Sequence, residues 1–190
     1  MAGEELRSRA WRSRVRRGPE VRCEVVEMFE VGDVVVYPHH GAGVIEAISE
    51  RSVEGEIKKY FVLRMNKGNL KVMVPADNYQ QVGLRTVISR EEVDKVFDIL
   101  SGEMTPMPSN WNHRFKKNRE KLKSGDIFQV AEVVRNLTLR DMEKGLSSGE
   151  KRMLQQAREI LASELMYAID VEAEEAYRMI EEVFTSQSPS

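Results

Sequence analysis

The spacing of apolar positions changes character once along the chain, near Gly83. Before that point, from Phe29 onward, apolar residues come in short β-branched runs broken by turn residues. Asp33-Val-Val-Val-Tyr37 reads as an apolar strand stopped by Pro38; Gly41-Ala-Gly43 predicts a tight turn, and Val44 to Ser49 continues extended. Glu54-Gly55 predicts a hairpin turn and Asn66-Lys-Gly-Asn69 a second one. Between them Ile57 to Met65 is β-branched and aromatic, and Leu70 to Val74 alternates before Pro75. Four or five short, closely joined strands predict a small SH3/Tudor-like β-barrel over residues 28–83. Such a barrel has a small core and commonly offers a strand edge to a partner.

Beyond Gly83 the period becomes helical. Ser89-Arg-Glu-Glu92 is a capping box ahead of Val93, Val96, Phe97 and Leu100 on one face. Residues 101–108, with Gly102, Pro106 and Pro108, read as a linker. Ser109 is the expected cap of the next helix and Gly125 its end; Asp126 caps another, which Gly145 closes. Ser147-Ser-Gly-Glu150 is a second capping box, and Asp170 is the expected cap of a last helix. The class is therefore α+β: the small N-terminal barrel, then a compact C-terminal helical bundle over 84–185, with about four helices after the linker.

Composition narrows the function. At 41% hydrophobic and 32% charged, the chain has the make-up of a soluble globular protein, and no apolar run approaches membrane-spanning length. Residues 1–27 hold seven Arg and five Glu with no helix or strand period, so a disordered leader is expected there. They lack the apolar core of a signal peptide, and a cytoplasmic location is the default. Because Met28 opens the patterned region, the leader is either a gene-start artefact or a basic arm for DNA. A short disordered tail is expected at 186–190. Cys23 is the single cysteine, which excludes an intrachain disulfide or a cysteine-based zinc site.

Charge is distributed unevenly. The whole chain carries −2, yet residues 109–123 hold six cations (Arg114, Lys116, Lys117, Arg119, Lys121, Lys123) against Glu120 alone. Residues 150–184, by contrast, hold four cations and nine anions. Positive potential confined to a patch implies an oriented contact with a polyanion, and Trp111 at the start of the basic helix suggests an aromatic wedge for DNA. The same residues also fit a solvated helical face, with Trp111 as a core anchor.

Catalytic chemistry is sparse. His39-His40 beside Gly41 invites a metal, but adjacent residues on an extended segment point to opposite sides, and no third ligand is evident although Asp33 is near in sequence. No phosphate cradle, nucleophile elbow or zinc-protease motif occurs. No enzyme activity, cofactor or metal is expected.

Several motifs together resemble the CarD/CdnL family of bacterial transcription regulators: Val31-Gly-Asp-Val-Val-Val-Tyr-Pro-His-His-Gly-Ala-Gly-Val44, Val74-Pro-Ala-Asp-Asn78, Val82-Gly-Leu-Arg85, Asn110-Trp111 with its basic run, and Gly145-Leu-Ser-Ser-Gly-Glu-Lys-Arg-Met-Leu154. The likeness spans about 28–184. The barrel part alone also resembles the polymerase-interaction module of the transcription-repair coupling factor, whose helicase motors this chain is too short to hold. The resemblance implies a monomeric protein that meets the nucleoid through RNA polymerase, its barrel docking by edge-strand pairing on the β subunit. Arg51, Val53, Leu70, Val72 and Met73 are the implied polymerase face. The helical domain is then the DNA-binding part, acting without sequence preference at the upstream edge of the promoter bubble. There Trp111 enters the minor groove and stabilises the open complex. His113, Arg114, Lys116, Lys117 and Arg119 are the implied phosphate partners on the basic helix, with Lys151 and Arg152 at another helix N-terminus. Met73 and His113 stand where the family pattern favours basic side chains. The competing reading is a protein-interaction adaptor with only non-specific DNA contact, or none.

Overall fold

Alternating apolar runs and helical stripes give two separate cores. A computed structural model describes residues 29–66 and 70–186. The leader with Trp11 and Cys23, most of the predicted turn at 66–69 and the last four residues lie outside the described residues. The strands are β1 (Val34–Tyr37), β2 (Gly41–Val53), β3 (Glu56–Met65), β4 (Lys71–Pro75) and β5 (Arg85–Thr86), with a 3₁₀ turn at Ala76–Asn78. They form one antiparallel sheet in the order β4-β3-β2-β1-β5. Its inner face buries Val35, Ile45, Phe61, Leu63, Met65 and Val74, and Phe29, Phe61 and Tyr79 meet there edge to face.

The β2–β3 hairpin turns at Glu54 and Gly55, both with positive φ, as two-residue hairpins require. A register shift between Ile45 and Ala47 marks a bulge. It exchanges the faces of β2, so Ala47, Ser49, Arg51 and Val53 look outward while Ile48 stands opposite buried Phe61. The predicted turn at Gly41-Ala-Gly43 is displaced: the chain turns at Pro38-His39-His40, and all three residues belong to β2. Gly41 is glycine for another reason. It lies against the bundle with φ of 81°, and a Cβ there would collide with Ser163 Oγ.

Five helices follow: α1 (Arg90–Ser101), α2 (Trp111–Lys123), α3 (Ile127–Lys144), α4 (Ser148–Ile169) and α5 (Ala173–Thr185). The capping boxes at Ser89/Glu92 and Ser147/Glu150 form, Asp126 caps α3, and Gly145 ends it with φ of 74°. Two expected caps differ. Asn110, not Ser109, caps α2, its Oδ1 accepting from the His113 N–H. Asp170 terminates α4 in the left-handed region instead of starting α5, which begins at Glu172 without a side-chain cap.

Four helices follow the linker, and α1 joins their core through Val93, Val96 and Leu100. The linker itself is pinned to α3. Thr105 donates its N–H to Asn136 Oδ1 at 3.1 Å and its hydroxyl to Glu132 at 2.6 Å; Asn136 and Arg135 return hydrogen bonds to Thr105 Oγ1.

Sheet and bundle are joined through α4. Glu164, fully buried, takes a bidentate ion pair from Arg85 at 2.5 and 2.9 Å and the Ile88 N–H at 3.1 Å. Arg85 also donates twice to the Gly125 carbonyl, at 3.1 and 2.7 Å. Ser163 Oγ accepts from the Ala42 N–H at 3.0 Å, and Tyr167 donates to Asn66. The Pro38 ring sits within 3.0 Å of where a Cβ would stand on Gly83 and on Gly125.

Removing one partner of a buried pair leaves an uncompensated charge, at a cost of about 3 kcal/mol or more. Arg85→Ala is therefore expected to lower the unfolding free energy by about 3 kcal/mol in urea titration. Glu164→Gln should lose less, because the charge it leaves unpaired is Arg85, whose side chain is still 32% exposed. A change within error for Arg85→Ala would mean that this pair does not hold the two parts together.

Candidate nucleic-acid interface

Trp111 is the first residue of α2, and Asn110 fixes the turn that presents it. Two anchors reach this point from the bundle: the pinned linker, and Arg114. The Arg114 guanidinium is buried. Its Nε donates to Glu150 Oε1 at 2.7 Å and its Nη1 to the carbonyls of Pro108 and Ser109 at 3.0 and 3.1 Å. The structure thus turns Arg114 inward, against the expectation of a phosphate partner: its Nε and Nη1 donors are engaged by α4 and by the linker it holds. A signal for this was present. Arg114, Asn118 and Leu122 recur at four-residue spacing and form the buried face of α2.

The indole is 43% exposed. It neither stands free nor lies enclosed. One face stacks on Phe115, with centroids 5.1 Å apart and planes 27° apart, and its Nε1 donates to Ser147 Oγ at 2.9 Å. Ser147 in turn donates to Glu150 Oε2 at 2.7 Å. Trp111, Ser147, Glu150 and Arg114 therefore form one hydrogen-bonded circuit joining the starts of α2 and α4. Burial alone would raise the pKa of Glu150. The hydrogen bonds from Arg114 and Ser147, and the Arg114 charge, outweigh it and hold the carboxyl below its ordinary 4.5. Phe115, Ser147, Glu150 and Asn110 support the indole without belonging to the expected set.

Two helix N-termini meet beside the ring, so partial positive charge accumulates where an anion would lie. His113, Lys116, Lys117 and Arg119 along α2, and Lys151 and Arg152 near the start of α4, are exposed. Lys116 stands 4.0 Å from Glu120; among the described residues Lys117, Arg119, Lys151 and Arg152 have no ion-pair partner. Lys121 is engaged with Glu132 at 2.6 Å.

The five residues expected to face a polymerase divide between two sides. By register Arg51, Val53 and Met73 share the outer face of the sheet with Tyr60 and Val62. Val72 is turned to the inner face and packs on the sheet's core. Leu70, 45% exposed, lines a cleft of about 540 Å³ between sheet and bundle with Met65 and Met166. The side chains of Val72 and Leu70 are thus not part of the outer face. Both belong to the segment of β4, which borders β3 on one side and, among the described residues, no strand on the other. His39 is half-buried, and His40 stacks on Tyr37 at 5.3 Å. Among the described residues no cluster of three metal-ligating side chains occurs, and no helix is long and apolar enough to cross a membrane.

The two halves match two family models: residues 29–88 the CarD-like/TRCF RID domain, and residues 95–181 the CarD C-terminal domain. A Bacillus subtilis (strain 168) protein titled "Putative transcription factor YdeB" is 40% identical over 138 residues, covering 73% of this chain and 90% of that one. The chain belongs to the CarD/CdnL family of transcription regulators. A solved structure titled "CdnLNt from Myxoccoccus xanthus" is 36% identical, covering 32% of this chain and 86% of that one, with a TM-score of 0.29. The family is of a transcription-factor kind rather than an enzyme kind, and it points to transcription regulation through interaction with RNA polymerase.

A carboxyl held below 4.5 supplies stability that is complete above that value and lost as the pH falls through its folded pKa. Glu150→Gln is expected to lose about 3 kcal/mol at pH 7, with the gap to wild type closing as the pH drops below 4.5. Urea titration along a pH series measures it. A gap that stays constant into acid would remove the ionised carboxylate from the account.

Proposed function

We propose that this CarD/CdnL protein docks its sheet on the β subunit of RNA polymerase and stabilises the open promoter complex by placing Trp111 in the minor groove at the upstream edge of the bubble. The observation that carries this reading is the indole itself. It is half-exposed and braced by Phe115 and Ser147, at the meeting of two helix N-termini, amid exposed cations on α2 and α4. Unstacking a base step in intact duplex costs on the order of a few kcal/mol. A bubble edge has already lost stacking on one side, so a ring held in place can fill the gap at lower cost. His113, Lys116, Lys117, Arg119, Lys151 and Arg152 would hold the phosphates without reading sequence.

The brace matters for affinity. A ring fixed before binding loses little rotamer freedom on insertion, whereas a mobile one would give up part of its contact energy. The exposed face also speaks against the adaptor reading, in which Trp111 would be a core anchor. On the sheet, Arg51, Val53 and Met73 on the outer face and the open edge of β4 suit a partner strand and its neighbouring surface. With Met73 at this site the contact is apolar, leaving Arg51 as the charged element among these residues. Such a protein would act in the cytoplasm as a monomer, requiring no cofactor.

Trp111→Ala is expected to shorten open-complex lifetime about tenfold, as loss of base–aromatic stacking of about 1–3 kcal/mol implies, while polymerase binding persists. Equal lifetimes in a competitor-challenge assay would remove the wedge. Arg51→Glu is expected to weaken capture of the β subunit and to leave free-DNA affinity unchanged. Undiminished capture would put the docking face elsewhere.

A further inference from the structure

The basic helix does not end at a free surface. Its last turn lies on the β1–β2 turn, because Pro38 packs against Gly125, just past the end of α2, and against Gly83. Between them is a hollow of about 260 Å³ lined by Tyr37, Pro38, His39, Val82, Lys123 and Ser124. We infer that this junction carries a second phosphate site, formed by Arg119 and Lys123 of α2 and His39 of the β1–β2 turn, that takes the sugar-phosphate backbone of duplex DNA. The inference rests on the DNA contact proposed for Trp111 and extends it from the bundle onto the sheet.

Three observations converge. Arg119 and Lys123 are exposed and, among the described residues, have no ion-pair partner. His39 feels them: burial first, then the charges of Lys123, His40 and Arg119, hold its pKa below the ordinary 6.5. The groups facing it are Lys123, Arg119 and Ser124 from α2, Tyr37 and His40 from its own turn, and Gln156 and Glu159 from α4 across the adjoining cleft. Gln156 donates to the His39 carbonyl at 3.4 Å, and Glu159 accepts from Gln155 at 3.1 Å. The cations thus outweigh the acid at the ring. A lysine near a helix C-terminus is favourable for the helix dipole alone, which accounts for Lys123 but not for its sharing the hollow with His39, whose ring also feels the Arg119 charge. Lys123 lies twelve residues from Trp111, about 18 Å along a helix at 1.5 Å per residue. That is roughly five base pairs of one strand, so a backbone leaving the indole along α2 reaches the hollow. A phosphate placed there reverses the charge around His39 and favours its protonated form, so binding takes up a proton.

The test is fluorescence anisotropy of the full chain with a forked duplex, in a salt series, near pH 8 and near pH 6, where histidine changes charge. The junction variant Lys123→Gln should lower the log–log salt slope by about 0.9, as the loss of one phosphate contact implies. Wild type should tighten on acidification, and His39→Gln should tighten less. Lys116→Gln/Lys117→Gln serves as the reference for the contact near Trp111. If it loses slope while the junction variant keeps wild-type slope and affinity, the junction site is overturned and the proposed function stands. If the junction variant alone loses slope, the junction site stands and the contact near Trp111 falls. No binding by wild type at low salt overturns both. A junction variant that binds DNA normally but loses polymerase assigns the hollow to an acidic protein surface and overturns the inference.

Discussion

A carboxylate with no exposure to water organises the relation between the two halves of this protein. Glu164, in the second half of α4, is satisfied by Arg85 of the sheet's last strand, β5, and by the Ile88 N–H just before α1. Arg85 also donates from Nε and Nη2 to the Gly125 carbonyl, between α2 and α3, and from Nη1 to the Thr86 carbonyl. One ion pair therefore ties the sheet to α4 and to the turn that ends the basic helix. Buried pairs are poor sources of net stability against well-packed apolar replacements, since desolvation consumes most of the attraction. Their best-attested use is to specify one arrangement among several. Here the pair links α4 to β5 and to the segment before α1, so satisfying Glu164 favours one placement of the sheet on the bundle.

The same division of labour recurs at the other end of α2. Of the cations in that helix, Arg114 is buried and builds structure, Lys121 is tied to Glu132, and the others face water. Arg114 holds the linker carbonyls and Glu150; Glu150 holds Ser147; Ser147 holds the indole N–H. Surface pairs such as Lys116–Glu120, at 4.0 Å between exposed side chains, add little by comparison. A charge count of the segment therefore overstates its capacity for phosphate by at least two residues. It also understates how firmly the indole is aimed.

Much of this was legible in the chain and some of it was not, for separable reasons. Capping boxes, helix-ending glycines and the Glu54-Gly55 hairpin are local: their hydrogen bonds close within a few residues, so spacing alone identifies them, and the α+β class follows. The features that were missed depend on distant partners. Gly41 reads as a turn residue, yet it is small because Ser163 lies against it, more than a hundred residues away. The bulge between Ile45 and Ala47 exchanges the faces of β2, so simple alternation misassigns its second half. Val72 was counted in the polymerase face on the resemblance, whereas its pairing with buried Leu63 turns it inward. Asn110 and Ser109 are equally good caps by chemistry, and the helix uses Asn110, with the Ser109 carbonyl held by Arg114. Asp170 has the residue type of an N-cap, but the left-handed end of α4 uses it first. Arg114 is the instructive case. Its four-residue spacing with Asn118 and Leu122 marks an inward face, while its charge argues outward, and Glu150 on another helix settles the conflict.

A rigid junction changes what tethering can accomplish. Two modules on a flexible linker raise the local concentration of the second to the order of mM, whatever their relative angle. Modules locked by a buried ion pair sample one geometry, so the second site is presented at much higher effective concentration where it fits, and not at all where it does not. With a few phosphate contacts, free DNA is held weakly, and the salt dependence is correspondingly shallow. Under the proposed function such a protein distinguishes a promoter bubble from other DNA by position rather than by sequence. The angle set at Glu164 determines where the indole arrives once the sheet is docked. Specificity then resides in an interaction that touches neither polymerase nor DNA.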